Sequence, residues 1–232
     1  MGTLITIEGI SGSGKTYYFN KLKEKYKDDS RVVFNGEITD GNHENYGSQI
    51  FDILFSTKSR FFDIGNPKAE ALLIAAKQAF DEDNYIIPML EEDKIIVSDR
   101  GFDTICIIEG IMFTRKYGGK LEDNVNMMYS TISQFNKIPD LTIVLDGDFE
   151  KALVRAETRD NLAYTDDEKK ILLTSAFLYK ELANKSERVI CINRDEDEEE
   201  VFKNIVNVIE KEIKKERRFV YEKNNISNRK LG

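Results

Sequence analysis

Residues 9–16 read GISGSGKT, set between an apolar run, TLITIE (3–8), and a stretch to residue 27 whose apolar Tyr18, Phe19, Leu22 and Tyr26 recur at helical spacing. This segment restricts the fold more than any other. Gly9, Gly14, Lys15 and Thr16 satisfy G-x-x-x-x-G-K-[ST], a pattern that carries meaning where a strand precedes it and a helix follows. Glycines let backbone N–H groups close around a polyphosphate with no Cβ in the way. The helix N-terminus adds positive potential. Lys15 is expected to reach the β- and γ-phosphates, and the Thr16 hydroxyl to ligate Mg²⁺. Gly9, Ser11, Gly12, Ser13, Gly14, Lys15 and Thr16 thus form a predicted cradle for ATP or GTP with Mg²⁺.

The rest of the pattern extends this start into a domain. Apolar and β-branched runs at 31–35, 94–99, 141–146 and 188–193 predict four more strands. Segments 44–56, 67–91, 122–137, 148–159, 166–184 and 196–215 predict helices, with Pro67 suited to a first turn and Pro88 expected to kink or end its helix. Strands alternating with helices predict an α/β fold of the P-loop NTPase kind: a five-stranded parallel sheet with helices on both faces. A chain of 232 residues with no linker rich in Pro, Gly or Ser suits one domain, 1–215. After Arg218 the helical pattern fades, so 216–232 is read as a flexible tail.

Charge and composition remove several function classes. The formal charge, 34 − 42 = −8, argues against a nucleic-acid partner. No apolar run is long enough to span a membrane, and no secretory leader precedes the first strand, so the cytoplasm is expected. Cys106 and Cys191 lie in apolar contexts, TICII and VICIN, and are expected to be buried free thiols. His43, within GNHEN, reads as a solvated loop residue. The acidic run DEDEEE (195–200) reads as a helix start that opposes the positive end of the dipole, with KEIKKERR (211–218) as its converse.

A second site decides what happens to the triphosphate. IIVSDR (95–100) ends a predicted strand in Asp99-Arg100, which a parallel sheet brings to the carboxyl edge where ligands bind. An aspartate there can hold Mg²⁺ through water, and an adjacent arginine can grip a phosphate through two parallel hydrogen bonds. Asp146, at the end of LTIVLD, is a rival metal acid; Asp99 is preferred because Arg100 accompanies it.

With these residues placed, the chain resembles the thymidylate kinase family of nucleoside monophosphate kinases over roughly residues 3–210. IEGISGSGKT, NPKAEALLIAAKQAF, VSDRGFDTICIIEG and PDLTIVLDGDFEKALVRAETR resemble the family's opening loop, long helix, Asp-Arg-Tyr segment and lid approach, in that order. The resemblance implies transfer of the ATP γ-phosphoryl group to a nucleotide monophosphate. It implies that Arg100 holds the acceptor phosphate and that Arg155 and Arg159 are lid-side arginines, within a small lid near 155–168. It further implies a homodimer formed through faces that include the long helix.

The departures from the family cluster on the acceptor side. The arginine after the second strand is absent from NGEITDGN, where Glu37 survives as a candidate. Ile74 stands at the base-stacking phenylalanine, Gln78 at the base-reading arginine, Gly101 at the tyrosine, Glu109 at a pocket glutamine and Ser11 at the loop aspartate. Lys77 is a candidate replacement charge. A buried site built to bond one group can discriminate about 10⁴-fold against its absence. The acceptor is therefore read as dTMP, a related or modified pyrimidine nucleotide, or a nucleoside-like molecule. A kinase of a non-nucleotide metabolite and a nucleotide-binding regulator without turnover also stay open. A switch GTPase is the weaker alternative, because NKIPD (136–140) has the wrong spacing for guanine recognition and precedes its strand.

Overall fold

The computed structural model describes residues 1–36, 46–56, 59–61 and 63–229, with backbone alone at 46–48, 51 and 215–229. The strands are β1 (Thr3–Glu8), β2 (Val32–Asn35), β3 (Ile95–Asp99), β4 (Leu141–Asp146) and β5 (Val189–Asn193). They form one sheet in the order β2-β3-β1-β4-β5. Every pairing is parallel, as the alternation of elements predicts. β1 and β3 are buried along their whole lengths, which explains their continuous apolar sequences.

The helices are α1 (Lys15–Lys25), α2 (Tyr46–Phe55), α3 (Pro67–Asp81), α4 (Ile87–Glu91), α5 (Phe102–Tyr117), α6 (Leu121–Ile132), α7 (Phe149–Asp160), α8 (Asp166–Lys185) and α9 (Glu198–Arg229). On one face of the sheet Ile5 and Ile7 meet Tyr18 and Leu22 of α1 and Val201, Ile205 and Ile209 of α9. On the other face α3, α5 and α6 pack together, and α8 packs against α5 and the β4–β5 side. Lys21 of α1 donates to Glu198 and Glu199, so the acidic start of α9 also ties it to α1. A buried knot braces the sheet. Arg188 donates to both oxygens of Asp103 at 2.8 and 2.6 Å, and Thr142 and Tyr129 donate to the same carboxylate at 2.7 and 2.9 Å.

Five elements differ from expectation. α5 carries no strong apolar stripe, because helices α3, α6 and α8 contact it from different sides, and a helix buried all round loses that periodicity. The predicted helix 67–91 is α3, a π-helical turn (Glu82–Ile86) and α4. That wider turn precedes Pro88, whose ring and missing N–H disrupt an α-helical ladder. α6 stops at Ile132, before the NKIPD turn. Cys106 is buried as expected, but Cys191 is exposed, since β5 is an edge strand. The backbone of α9 continues to Arg229, beyond its apolar spacing; no Pro or Gly interrupts 216–229. Glu37 and His43 lie outside the described residues. Among the described residues no helix is long and apolar enough to cross a membrane.

Candidate active site

The glycine loop leaves the carboxyl end of the central strand and turns directly into α1, with Lys15 as the first helical residue. Gly9, Gly12 and Gly14 have φ of 136°, 78° and 94°, a region that side chains strain to adopt. Gly12 is also required sterically: a Cβ there would lie 1.9 Å from the Ala152 carbonyl oxygen of α7. Lys15 Nζ donates to the carbonyls of Gly9 (3.0 Å) and Ile10 (2.9 Å). An ammonium has three donors, so it can bridge the loop and a phosphate at once. Ser13 Oγ is buried in the loop and makes no hydrogen bond to the protein.

β3 lies beside β1 with Ile7 in register with Asp99, which brings the second site against the loop. Thr16 Oγ1 donates to Asp99 Oδ2 at 3.1 Å. The rival Asp146 is instead paired with Lys180 at 3.1 Å. Arg100 sits at φ 67°, a conformation uncommon outside glycine. From there its Nη1 donates to the Gly9 carbonyl (3.1 Å) and Thr104 Oγ1 (3.3 Å). Thr104 also donates to Glu8, the last residue of β1. Burial, followed by the charge of Asp103, pushes the Glu8 carboxyl up to about 7.

α7 supplies both lid-side arginines. Arg155 Nε donates to the Gly12 carbonyl at 2.7 Å, and burial, with Arg194 nearby, lowers its proton affinity. Arg159 Nη2 donates to Ser11 Oγ at 3.1 Å. Lys15, Thr16, Asp99, Arg100, Arg155 and Arg159 therefore converge on one loop from three elements.

On the far side of Arg100 lies a cavity of about 220 Å³, whose wall includes Gly9, Ser11, Ile74, Arg100, Glu109 and Arg159. Glu109 is fully buried, neither of its carboxyl oxygens has a hydrogen-bond partner, and burial pushes it well above the usual carboxylate range. That shift favours the protonated form, which offers one donor and one acceptor, and the charges of Glu70 and Asp63 act in the same direction. Two expected acceptor-side groups are not in this wall. Gln78 Nε2 donates to Glu82 one helical turn on, at 2.9 Å, and Lys77 pairs with Asp81. On α3 those positions face the polar contacts beside the π-helical turn, whereas Ile74 faces the cavity.

Sequence reading missed several residues of the site. Arg60, from the segment before α3, and Tyr164 of the lid both line the cavity, and Tyr179 of α8 reaches Thr104 at 2.7 Å. Arg194, just past β5, stacks 5.4 Å from the Tyr18 ring, in a small cleft beside Gly9, Ser13 and Arg155. Arg194 ends a strand at the carboxyl edge and was findable on that ground; nothing local distinguishes Arg60.

The arrangement can hold a triphosphate tail in the loop and draw an anionic acceptor toward it. The family model described as Thymidylate kinase matches residues 7–205. A thymidylate kinase of Mycoplasma mobile is 30% identical over 218 residues, covering 91% of this chain and 99% of that protein. A probable thymidylate kinase of Pyrococcus abyssi is 27% identical over 213 residues, covering 91% and 98%. The crystal structure of thymidylate kinase from Ehrlichia chaffeensis is similar with a TM-score of 0.62 at 20% identity, covering 90% of this chain and 99% of that one. That last likeness concerns the fold.

Proposed function

The chain belongs to the thymidylate kinase family, and from that premise we propose how its residues divide the work of moving the γ-phosphoryl group of ATP to dTMP. The observation that carries this reading is that the phosphate loop and the acceptor cavity share a wall: Gly9, Ser11 and Arg100 line the same space as Glu109. A donor and an acceptor held there need little further ordering before transfer.

ATP lies with its triphosphate in residues 9–16. Lys15 holds the β- and γ-oxygens, and Arg155 and Arg159 stabilise charge that spreads over the transferring group. Thr16 and Asp99 offer a hydroxyl and a carboxylate side by side, hard oxygen donors that suit Mg²⁺. Among the described residues no group of three His, Cys, Asp or Glu could hold a metal, which fits an ion that takes most of its shell from phosphates and water. When bound, Mg²⁺ neutralises the β- and γ-oxygens. Arg100 holds the acceptor phosphate, Ile74 packs on the ring and the neutral Glu109 carboxyl bonds its polar edge. Leu72 of α3 and Met127 of α6 are exposed apolar residues, which supports a homodimer formed through this side of the molecule; sedimentation as a monomer would contradict it.

A second reading concerns the acceptor alone. Gln78 and Lys77 are engaged with Glu82 and Asp81, so a modified pyrimidine nucleotide or a nucleoside fits the same polar group, Glu109. The test is ADP formation with Mg-ATP and a panel of dTMP, other pyrimidine monophosphates, modified pyrimidine nucleotides and thymidine. Turnover that depends on dTMP is expected. ADP formed only with another acceptor moves the assignment to that molecule, and ATP binding without acceptor-dependent turnover overturns the kinase.

A further inference from the structure

Arg60 lies between α2 and α3, far in sequence from the lid, yet its side chain makes most of its contacts with the lid. Nη2 donates to the Leu162 carbonyl at 2.9 Å, and Nη1 to the Ala163 carbonyl at 3.3 Å and Glu168 Oε2 at 3.4 Å. The guanidinium carbon is 3.9 Å from the Tyr164 ring centroid. Nε is 3.7 Å from Asp160 Oδ2. The same Asp160 carboxylate accepts from Arg159 Nε at 2.7 Å and Nη2 at 3.2 Å, and that Nη2 also donates to Ser11 of the phosphate loop. A continuous chain of ion pairs and one hydrogen bond therefore runs Arg60–Asp160–Arg159–Ser11, from the acceptor side to the donor loop. The neighbouring Phe61 anchors it by packing with Tyr164, Leu172 and Ala156.

We propose that Arg60 is a positioning residue for phosphoryl transfer: it latches the segment 160–164 and, through Asp160, sets the guanidinium of Arg159 over the phosphate loop. This deepens the kinase reading and rests on it. Asn161 turns left-handed at φ 49° and ends α7, so the segment beyond it is tied back to the helix mainly through Glu157. One planar fork that meets two carbonyls, two carboxylates and a ring supplies further order, and a lysine cannot reproduce it.

Arg60→Ala is expected to lower kcat at least about 10-fold while KM for ATP stays within about 3-fold, because a misplaced charge costs rate more than binding. Arg60→Lys is expected not to restore it. In an Arg159→Ala background the Arg60→Ala change is expected to cost no further kcat, since it acts through Arg159. A full multiplicative loss in that background, or rescue by lysine, would overturn the proposal. Hydrogen exchange gives an arm that needs no acceptor. The Leu162 and Tyr164 amides, held by the Glu157 carbonyl (3.3 Å) and carboxylate (2.8 Å), are expected to exchange about 10-fold faster in Arg60→Ala. Unchanged exchange refutes the latch even where transfer is normal. Absent dTMP turnover with faster exchange refutes the acceptor assignment instead.

Discussion

Thr16 donates its hydroxyl to Asp99 at 3.1 Å, across 83 positions of chain. The contact joins the end of the glycine loop to the end of the neighbouring strand, at the position proposed for Mg²⁺. Asp99→Asn keeps the shape and removes the charge. It is expected to lower kcat about 10²- to 10³-fold and to raise the Mg²⁺ concentration for half-maximal rate about 10-fold or more. A Mg²⁺ titration identical to that of the unaltered protein would move the metal elsewhere.

Arg100→Ala removes a guanidinium held by the Gly9 carbonyl and Thr104. In the proposed role the loss falls on the acceptor phosphate, so KM for the monophosphate is expected to rise about 10²-fold, in line with a charge-assisted pair worth 1.5–3 kcal/mol. ATP affinity, measured by calorimetry, is expected to change little. The reverse pattern would assign Arg100 to the donor.

Glu109 provides a test of protonation by substitution. Burial favours its protonated carboxyl, and a glutamine presents the same acceptor with an N–H donor. Glu109→Gln is therefore expected to keep acceptor KM within about 3-fold, whereas Glu109→Ala raises it about 10- to 100-fold as the hydrogen bonds disappear. If glutamine is as damaging as alanine, the group acts as an anion.

Glu8 makes stability depend on pH. Its carboxyl is raised from 4.5 to about 7 in the folded protein. Between those values the native state binds more protons than the unfolded chain, so this contribution is fully present below pH 4.5 and declines as pH rises to about 7. The decline amounts to no more than about 3 kcal/mol. Glu8→Gln is expected to flatten part of it in urea midpoints taken from pH 4.5 to 7.5. An unchanged slope would mean that Glu8 is ionised throughout.

What was legible in the residues was local. The GISGSGKT loop, the parallel strands and the Asp99-Arg100 step each depend on neighbours within a few positions, and the structure assembles them as expected. α5 escaped because a helix enclosed by others has no stripe to read. Gln78 and Ile74 are four positions apart on α3, and alignment to a family could not say which one the cavity would meet. The π-helical turn and the Glu82 carboxylate decide that.

The sequence by itself determined the glycine loop and the sheet that carries it, because backbone turns and strand periodicity are short-range properties. Only the tertiary structure decided that Asp146 is paired with Lys180, that Glu109 is buried in the cavity wall where its protonated form is favoured, and that Arg60 reaches the lid. These depend on which side chains meet across tens to a hundred positions and on how much water remains between them, and no local pattern encodes either.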